Sequence, residues 1–135
     1  MKILGETFNR DERLRSVKVI ESLFEEGDIF YSPLFKIVWQ RSPEPLPFPA
    51  RIAFSVPKKR FRLAVVRNLI RRRMREAYRK NKFLLYEQLV SHDTRINLVV
   101  IFRGDNIADY FTIENSMKDI LKKLMSQLKE KTVKS

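Results

Sequence analysis

Cysteine is absent from the 135 residues and histidine occurs once. Without thiols there is no disulfide framework, no thiolate zinc or iron–sulfur site and no thiol nucleophile. A single imidazole excludes most histidine-based metal and acid–base sites. No apolar run approaches the roughly 18 residues of a transmembrane helix. The opening MKILGETFNRDERLR turns polar after four residues, so no signal-peptide core is expected there. These absences suit a reducing cytoplasm, and the expected location is cytoplasmic with no membrane partner. Acidic residues are also scarce: 16 Asp and Glu stand against 28 Lys and Arg, a net charge of +12. For one small domain this points to a polyanionic partner.

The charge is concentrated. Between Lys58 and Lys82 there are twelve basic residues and one acid, Glu76, so this window carries +11. The other 110 residues hold 16 basic and 15 acidic groups. A near-neutral domain therefore carries one cationic device. A solvated charged face, or a lysine-rich disordered arm, is the bland alternative. Against it, the block is interleaved with Leu63, Val66, Leu69, Ile70, Met74, Ala77 and Tyr78, and Arg outnumbers Lys. Arginine suits bidentate phosphate contacts and stacking.

Residues 1–12 show no periodicity and are expected to form a loose arm, 13–128 a single domain and 129–135 a frayed tail. SVKVIESLFEE, 16–26, places Val19, Ile20, Leu23 and Phe24 on one helical stripe, with Ser16 as N-cap and Gly27 as C′ residue. LFKIVWQR, 34–41, reads as a strand, with a further short strand around 29–31. Pro43, Pro45, Pro47 and Pro49 then make a stiff hairpin loop rather than an element. ARIAFSV, 50–56, alternates as a half-buried strand. Helices are expected at 63–80 and 83–90. INLVVIF, 96–102, is a strand buried on both faces. Thr112 is the expected N-cap of a last helix with the stripe Ile113, Met117, Ile120, Leu121, Leu124, Met125 and Leu128. The fold class is α+β, a single-domain α/β sandwich of order α-β-β-(β)-α-(α)-β-α.

At 100° per residue, Val66, Ala77, Ile70, Leu63, Met74 and Tyr78, with Leu69 on the other side of Val66, share the buried arc of the cationic helix. Arg67, Asn68, Arg71, Arg72, Arg75 and Arg79 fall on one exposed strip. Arg73 falls toward the apolar side and must snorkel. Like charges at i, i+4 destabilise a helix by a few tenths of a kcal/mol per pair, and Arg67–Arg71–Arg75–Arg79 accumulates three such repulsions. A chain built only to fold would avoid them. Lys58, Lys59, Arg60 and Arg62 form a basic loop leading into the helix N-terminus, itself an anion-preferring end. No helix-turn-helix, basic-zipper, zinc-finger, KH or RNA-recognition-motif signature is present. His92 and Asp93 are adjacent loop residues and are read as structural; Arg103-Gly104-Asp105 is read as a chance cell-adhesion-like triplet. Pattern alone reaches a nucleic-acid-binding α+β domain.

The run SVPKKRFRLAVVRNLIRRRMREAYR, 55–79, resembles the bacterial ribonuclease P protein subunit. The family's Ser-Val-x-Lys-Lys strand end matches Ser55, Val56, Lys58 and Lys59. Its Ala-Val-x-Arg-Asn helix start matches Ala64, Val65, Arg67 and Asn68, and its arginine continuation matches Arg71, Arg72, Arg75, Glu76 and Arg79. RLRSVKVIESLFEEG, 13–27, is similar to the family's opening helix. The chain departs from the pattern at Leu69, where the family has arginine, and at Ile20, which with Phe24 replaces a pair of aromatics.

The resemblance implies a βαβ crossover of left-handed sense, against the general right-handed rule. It implies a non-catalytic subunit whose partners are the ribonuclease P RNA and the 5′ leader of precursor tRNA, with no obligate protein partner. The RNA performs Mg²⁺-dependent hydrolysis that matures the tRNA 5′ end; no cofactor is expected on the protein itself. Lys58, Lys59, Arg60, Arg67, Asn68, Arg71, Arg72, Arg75 and Arg79 are the expected RNA contacts. A leader cleft on the outward sheet face is expected from Ile20, Phe24, Phe35, Ile37 and Ser55; ordinary core packing is the competing reading. The alternative function is a ribosome-associated or RNA-assembly protein, and a DNA-binding regulator is a weaker third.

Overall fold

The computed structural model describes residues 7–134, with side chains described to Glu130. Its elements are a 3₁₀ turn Arg10–Glu12, α1 Val17–Glu26, β1 Asp28–Tyr31, β2 Phe35–Arg41, β3 Ala50–Ser55, α2 Ala64–Asn81, α3 Phe83–Ser91, β4 Ile96–Phe102 and α4 Tyr110–Lys134. The α+β order is as expected, and the short strand before β2 is present. Four strands form one sheet in the order β1-β2-β4-β3.

The apolar strand β4 is central, antiparallel to β2 and parallel to β3. This corrects the hairpin expected over Pro43–Pro49. β2 and β3 are not neighbours, so the proline segment instead bridges the end of β4. Ser42 N–H donates to Arg95 O and Ile96 N–H to Pro49 O, while Leu46 is buried. A stiff, donor-poor segment suits a crossing that contributes no ladder bonds.

Parity divides the sheet. Phe35, Ile37 and Trp39 of β2 face a large core with Leu98, Val100, Phe102 and the stripes of α2, α3 and α4. Val38 and Val99 face the other way, against Leu14 and Leu23, with Val19 and Ile20 of α1 packed beside them. Trp39 is fully buried, and its indole N–H donates to Gln127 Oε1 at 2.9 Å, so burial leaves that donor paired. Ser16 caps α1 as expected, accepting from Val19 N–H. Gly27 ends α1 with φ −70°, so it is not a left-handed cap. A Cβ there would lie 2.5 Å from Leu23 O and 2.9 Å from Val38 Cγ1. The glycine permits the close approach of helix end and sheet.

Several boundaries differ from expectation. The N-cap of α4 is Asp109, whose carboxylate accepts from Thr112 N–H at 2.8 Å; Thr112 lies inside the helix. Helix α4 continues past Lys129 to Lys134, where a frayed tail was expected. Leu63 is the N-cap residue of α2 and is exposed, not part of its buried face.

The expected loose arm is docked from Phe8 onward; residues 1–6 lie outside the described residues. Phe8 packs against Phe54 and Tyr78, with ring centroids 6.1 and 6.0 Å away. Leu14 N–H donates to Ile52 O at 2.9 Å and Arg13 bridges to Ile52 in parallel. The segment thus covers part of the open edge of β3, which would otherwise present unpaired backbone groups.

Candidate nucleic-acid interface

The basic loop is shaped from within. Arg60 and Phe61 N–H both turn back to Pro57 O, so Lys58, Lys59 and Arg60 stand exposed at a tight turn. Phe61 anchors the loop against Phe102, centroids 5.9 Å apart. Arg67 Nη1 donates to Phe61 O and Arg62 O, both at 2.8 Å, and ties the loop to the first turn of α2. That turn contains no acidic residue and its N-cap makes no side-chain bond. The positive end of the helix dipole therefore has no carboxylate from its own turn; Asp105, which lines a groove with Leu63 and Val66, is paired with Arg60.

Along α2, Ile70, Met74, Ala77 and Tyr78 are buried as the wheel predicts. Arg73 snorkels as expected, with Nη1 donating to Ala108 O at 2.6 Å. The exposed strip is uneven. Arg79 is held by Glu76, with Nε 3.0 Å and Nη2 2.5 Å from the carboxylate, and Arg60 pairs with Asp105 at 2.5 Å. Arg71 donates to Asn68 Oδ1 at 2.5 Å. Among the described residues, Lys58, Lys59, Arg67, Arg71, Arg72 and Arg75 have no carboxylate partner. Desolvation, then Arg13, Arg71 and Arg72, hold Arg75 below the usual arginine pKa. Its charge is opposed by its surroundings, and an incoming phosphate would relieve that opposition.

Arg13 and Arg15 were not expected here. They line an open groove of about 200 Å³ together with Arg71, Arg75, Ala53 and Leu14. A wider groove of about 520 Å³ runs along α2 over Val65, Asn68, Leu69, Arg71, Arg72 and Arg75. What brings the N-terminal arginines to α2 is a buried polar lock. Glu12 is fully buried and Lys82, at the α2–α3 junction, is 3% exposed. Lys82 Nζ bonds Glu12 Oε1 and also donates to Thr7 O. Tyr86 OH donates to the same carboxylate oxygen at 2.5 Å, and Tyr78 OH donates to Tyr86 OH at 3.2 Å. Asn9 N–H donates to the other carboxylate oxygen at 2.7 Å. Desolvation lowers the Lys82 pKa against the opposing pull of Glu12, and burial raises both tyrosines. No single motif announces this lock, because Glu12 lies 70 residues from Lys82 and 74 from Tyr86 in sequence.

The expected cleft residues separate onto two faces. Phe35 and Ile37 are 0% and 1% exposed in the large core, so they cannot line an open surface. The strand lies where the sequence predicts it, and a one-residue offset inverts its two faces. Ile20, like Ala53 and Ile101, is half-buried against the cluster of Leu14, Leu23, Val38 and Val99, Phe24 is 48% exposed, and Ser55 points to the α1 side. The residues that do belong to this face are Lys36 and Ile101. Ser55 pairs with Ile101, Ile101 with Lys36, and Lys36 with Tyr31, giving one row across all four strands. The alternation Phe35/Ile37/Trp39 against Lys36/Val38/Gln40 was the available signal.

His92 Nδ1 lies 2.9 Å from Gln88 O at the end of α3, and Asp93 follows with φ 48°. The pair shapes a turn, as read from the sequence. Among the described residues no three His, Asp or Glu groups come together as a metal ion would need, and no helix is long and apolar enough to cross a membrane.

Comparison with known proteins matches this geometry to one family. The family model described as Ribonuclease P matches residues 8–125. The chain is 31% identical to a ribonuclease P protein component of Porphyromonas gingivalis over 127 residues, covering 94% of this chain and 93% of the relative. It is 38% identical to the corresponding component of Petrotoga mobilis over 122 residues, covering 89% and 97%. The solved Staphylococcus aureus RNase P protein superposes with TM-score 0.66 at 25% identity, covering 82% of this chain and 93% of that one. The Thermotoga maritima protein shares the fold, with TM-score 0.67 at 24% identity, covering 83% and 96%. With a motif-bearing cationic helix, the same fold and matched relatives along nearly its whole length, this chain belongs to the ribonuclease P protein component family and so to tRNA processing in a ribonucleoprotein.

Proposed function

We propose that this chain is the non-catalytic protein subunit of a cytoplasmic ribonuclease P. The basic loop and the arginine strip of α2 bind the catalytic RNA, and the open sheet face beside α1 holds the 5′ leader of precursor tRNA. The observation that carries this reading is the set of arginines on α2 without carboxylate partners, in a chain whose remaining charge is nearly balanced. Such a surface neutralises phosphates and releases counterions on binding. Lys58, Lys59, Arg71, Arg72 and Arg75 are the phosphate ligands of this scheme. Arg67 shapes the loop, and Arg60 and Arg79 must first share their carboxylate partners. Ile20, Phe24, Ser55, Lys36 and Ile101 line the leader track; the apolar members and Phe24 offer stacking and packing to unpaired bases.

Hydrolysis belongs to the RNA partner, which requires Mg²⁺. The protein contributes charge neutralisation that lowers the Mg²⁺ demand and a leader contact that favours precursor over product. The test is reconstitution with a bacterial ribonuclease P RNA at low Mg²⁺, using end-labelled precursor tRNA. Stimulated cleavage at the mature 5′ end is expected. Tight RNA binding without stimulation, with the cognate RNA, would move the reading to a ribosome-associated or assembly protein.

A further inference from the structure

Tyr31 ends the edge strand β1, on the far side of the sheet from β3 and the arginine strip, and the residue is 52% exposed. Arg103 places its guanidinium carbon 5.0 Å from the ring centroid, and Lys36 its ammonium 5.9 Å away. Arg103 is held there from two sides. Its Nη1 donates to Ser32 O at 3.2 Å, and its backbone N–H donates to Leu34 O at 2.7 Å. A third cation, Lys123 of α4, donates to Tyr31 O at 3.3 Å. Among the described residues none of the three has a carboxylate within ion-pair distance.

Cation–π contacts account for the ring's position. They do not account for three uncompensated cations around one hairpin, which repel one another. An aromatic face flanked by cations is what single-stranded nucleic acid uses: the ring and the arginine plane take a base, and the charges take the neighbouring phosphates.

The register supplies the direction. Tyr31, Lys36, Ile101 and Ser55 form one cross-strand row on the α1 side. Strands lie about 4.8 Å apart, so the row spans about 14 Å. From Ser55 the chain continues through Val56 and Pro57 to Lys58 and Lys59. The row therefore joins the Tyr31 cluster to the basic loop without crossing a carboxylate.

We propose that Tyr31, Arg103 and Lys36 form a stacking subsite for one base of single-stranded RNA, at the end of the row opposite the basic loop. The proposal rests on the RNA-binding reading above and extends it to a site that lies outside the cationic helix.

The test uses the full-length protein and a labelled single-stranded oligoadenylate, with duplex RNA as the control. Tyr31→Ala should weaken oligoadenylate binding about fivefold to a hundredfold, the loss of one base stack, and leave duplex binding unchanged. Tyr31→Phe keeps the ring and should bind as the wild type does. Arg103→Gln should reduce the salt slope by about 0.7. If Tyr31→Ala does not fold, Arg103→Gln, which leaves the ring in place, carries the same single-strand against duplex comparison. Unchanged oligoadenylate affinity in Tyr31→Ala, with weakened binding in Arg75→Gln, overturns the subsite and leaves the α2 surface standing. Equal losses for single strand and duplex assign Tyr31 to holding the hairpin and also overturn it. Failure of the wild type to bind either RNA removes the subsite and the functional reading together.

Discussion

Glu12 is an acid in a strongly basic protein, and its effect on binding should run against its charge. The carboxylate is fully buried and accepts from Lys82, Tyr86 and Asn9. Its removal leaves the Lys82 ammonium in the interior with Thr7 O as its remaining bond. Breaking such a pair from one side costs about 3–5 kcal/mol, a large share of the roughly 5–15 kcal/mol that holds a domain folded. Glu12→Ala should show this loss in urea unfolding. The double change Glu12→Met with Lys82→Met should recover part of it, because neither charge is then stranded. Simple electrostatics would have an acid-to-neutral change tighten RNA binding. Here the change frees the segment that carries Arg13 and Arg15 to the α2 groove, so RNA affinity should fall. A binding titration under conditions where the variant is still folded reads the sign.

At the scale of the element, α2 is shaped by two opposed demands. Folding alone would place acids among its arginines, and the helix has one, Glu76, which is already committed to Arg79 and lies 3.8 Å from Lys80. Arg75→Gln should therefore act in opposite directions on the two properties. The free protein gains a few tenths of a kcal/mol from relieved repulsion, while RNA affinity drops and its salt slope falls by about 0.7–0.9. Arg79→Gln should cost the free protein stability and move the slope less. Thermal melts and a salt series on both variants check the pair. The helix was legible in the sequence because its evidence is local: apolar spacing sets the buried arc and charge sets the exposed strip. β4 was legible for the same reason, as a continuous apolar run. The placement of β4 between β2 and β3 was not, because pairing of distant strands leaves no local trace. The cleft was misread at Phe35 and Ile37, since a period of two fixes alternation but leaves open which set faces which layer. The docking of Phe8 to Glu12 was hidden by its dependence on Lys82, Tyr78 and Tyr86.

For the whole molecule, the decisive quantity is +11 of the +12 charge within 25 consecutive residues. Self-repulsion of that kind opposes the compact state, and a ligand that binds only the folded form offsets it by mass action. A divalent oxyanion is the smallest stand-in for a phosphate. Sulfate should raise the melting temperature above chloride at matched ionic strength, so that general screening cancels. At ten times its Kd a one-site ligand adds about 1.4 kcal/mol, a shift of about 2–8 °C for a domain of this size. Sulfate also strengthens burial in any protein, so wild type alone does not isolate the site. The double variant Arg71→Gln with Arg75→Gln keeps the core and removes two convergent cations. Its sulfate increment should be smaller than that of the wild type by the site-bound part. Equal increments in the two proteins would mean that sulfate acts through general burial, and that the arginines of α2 engage phosphates only when a polynucleotide presents several at once.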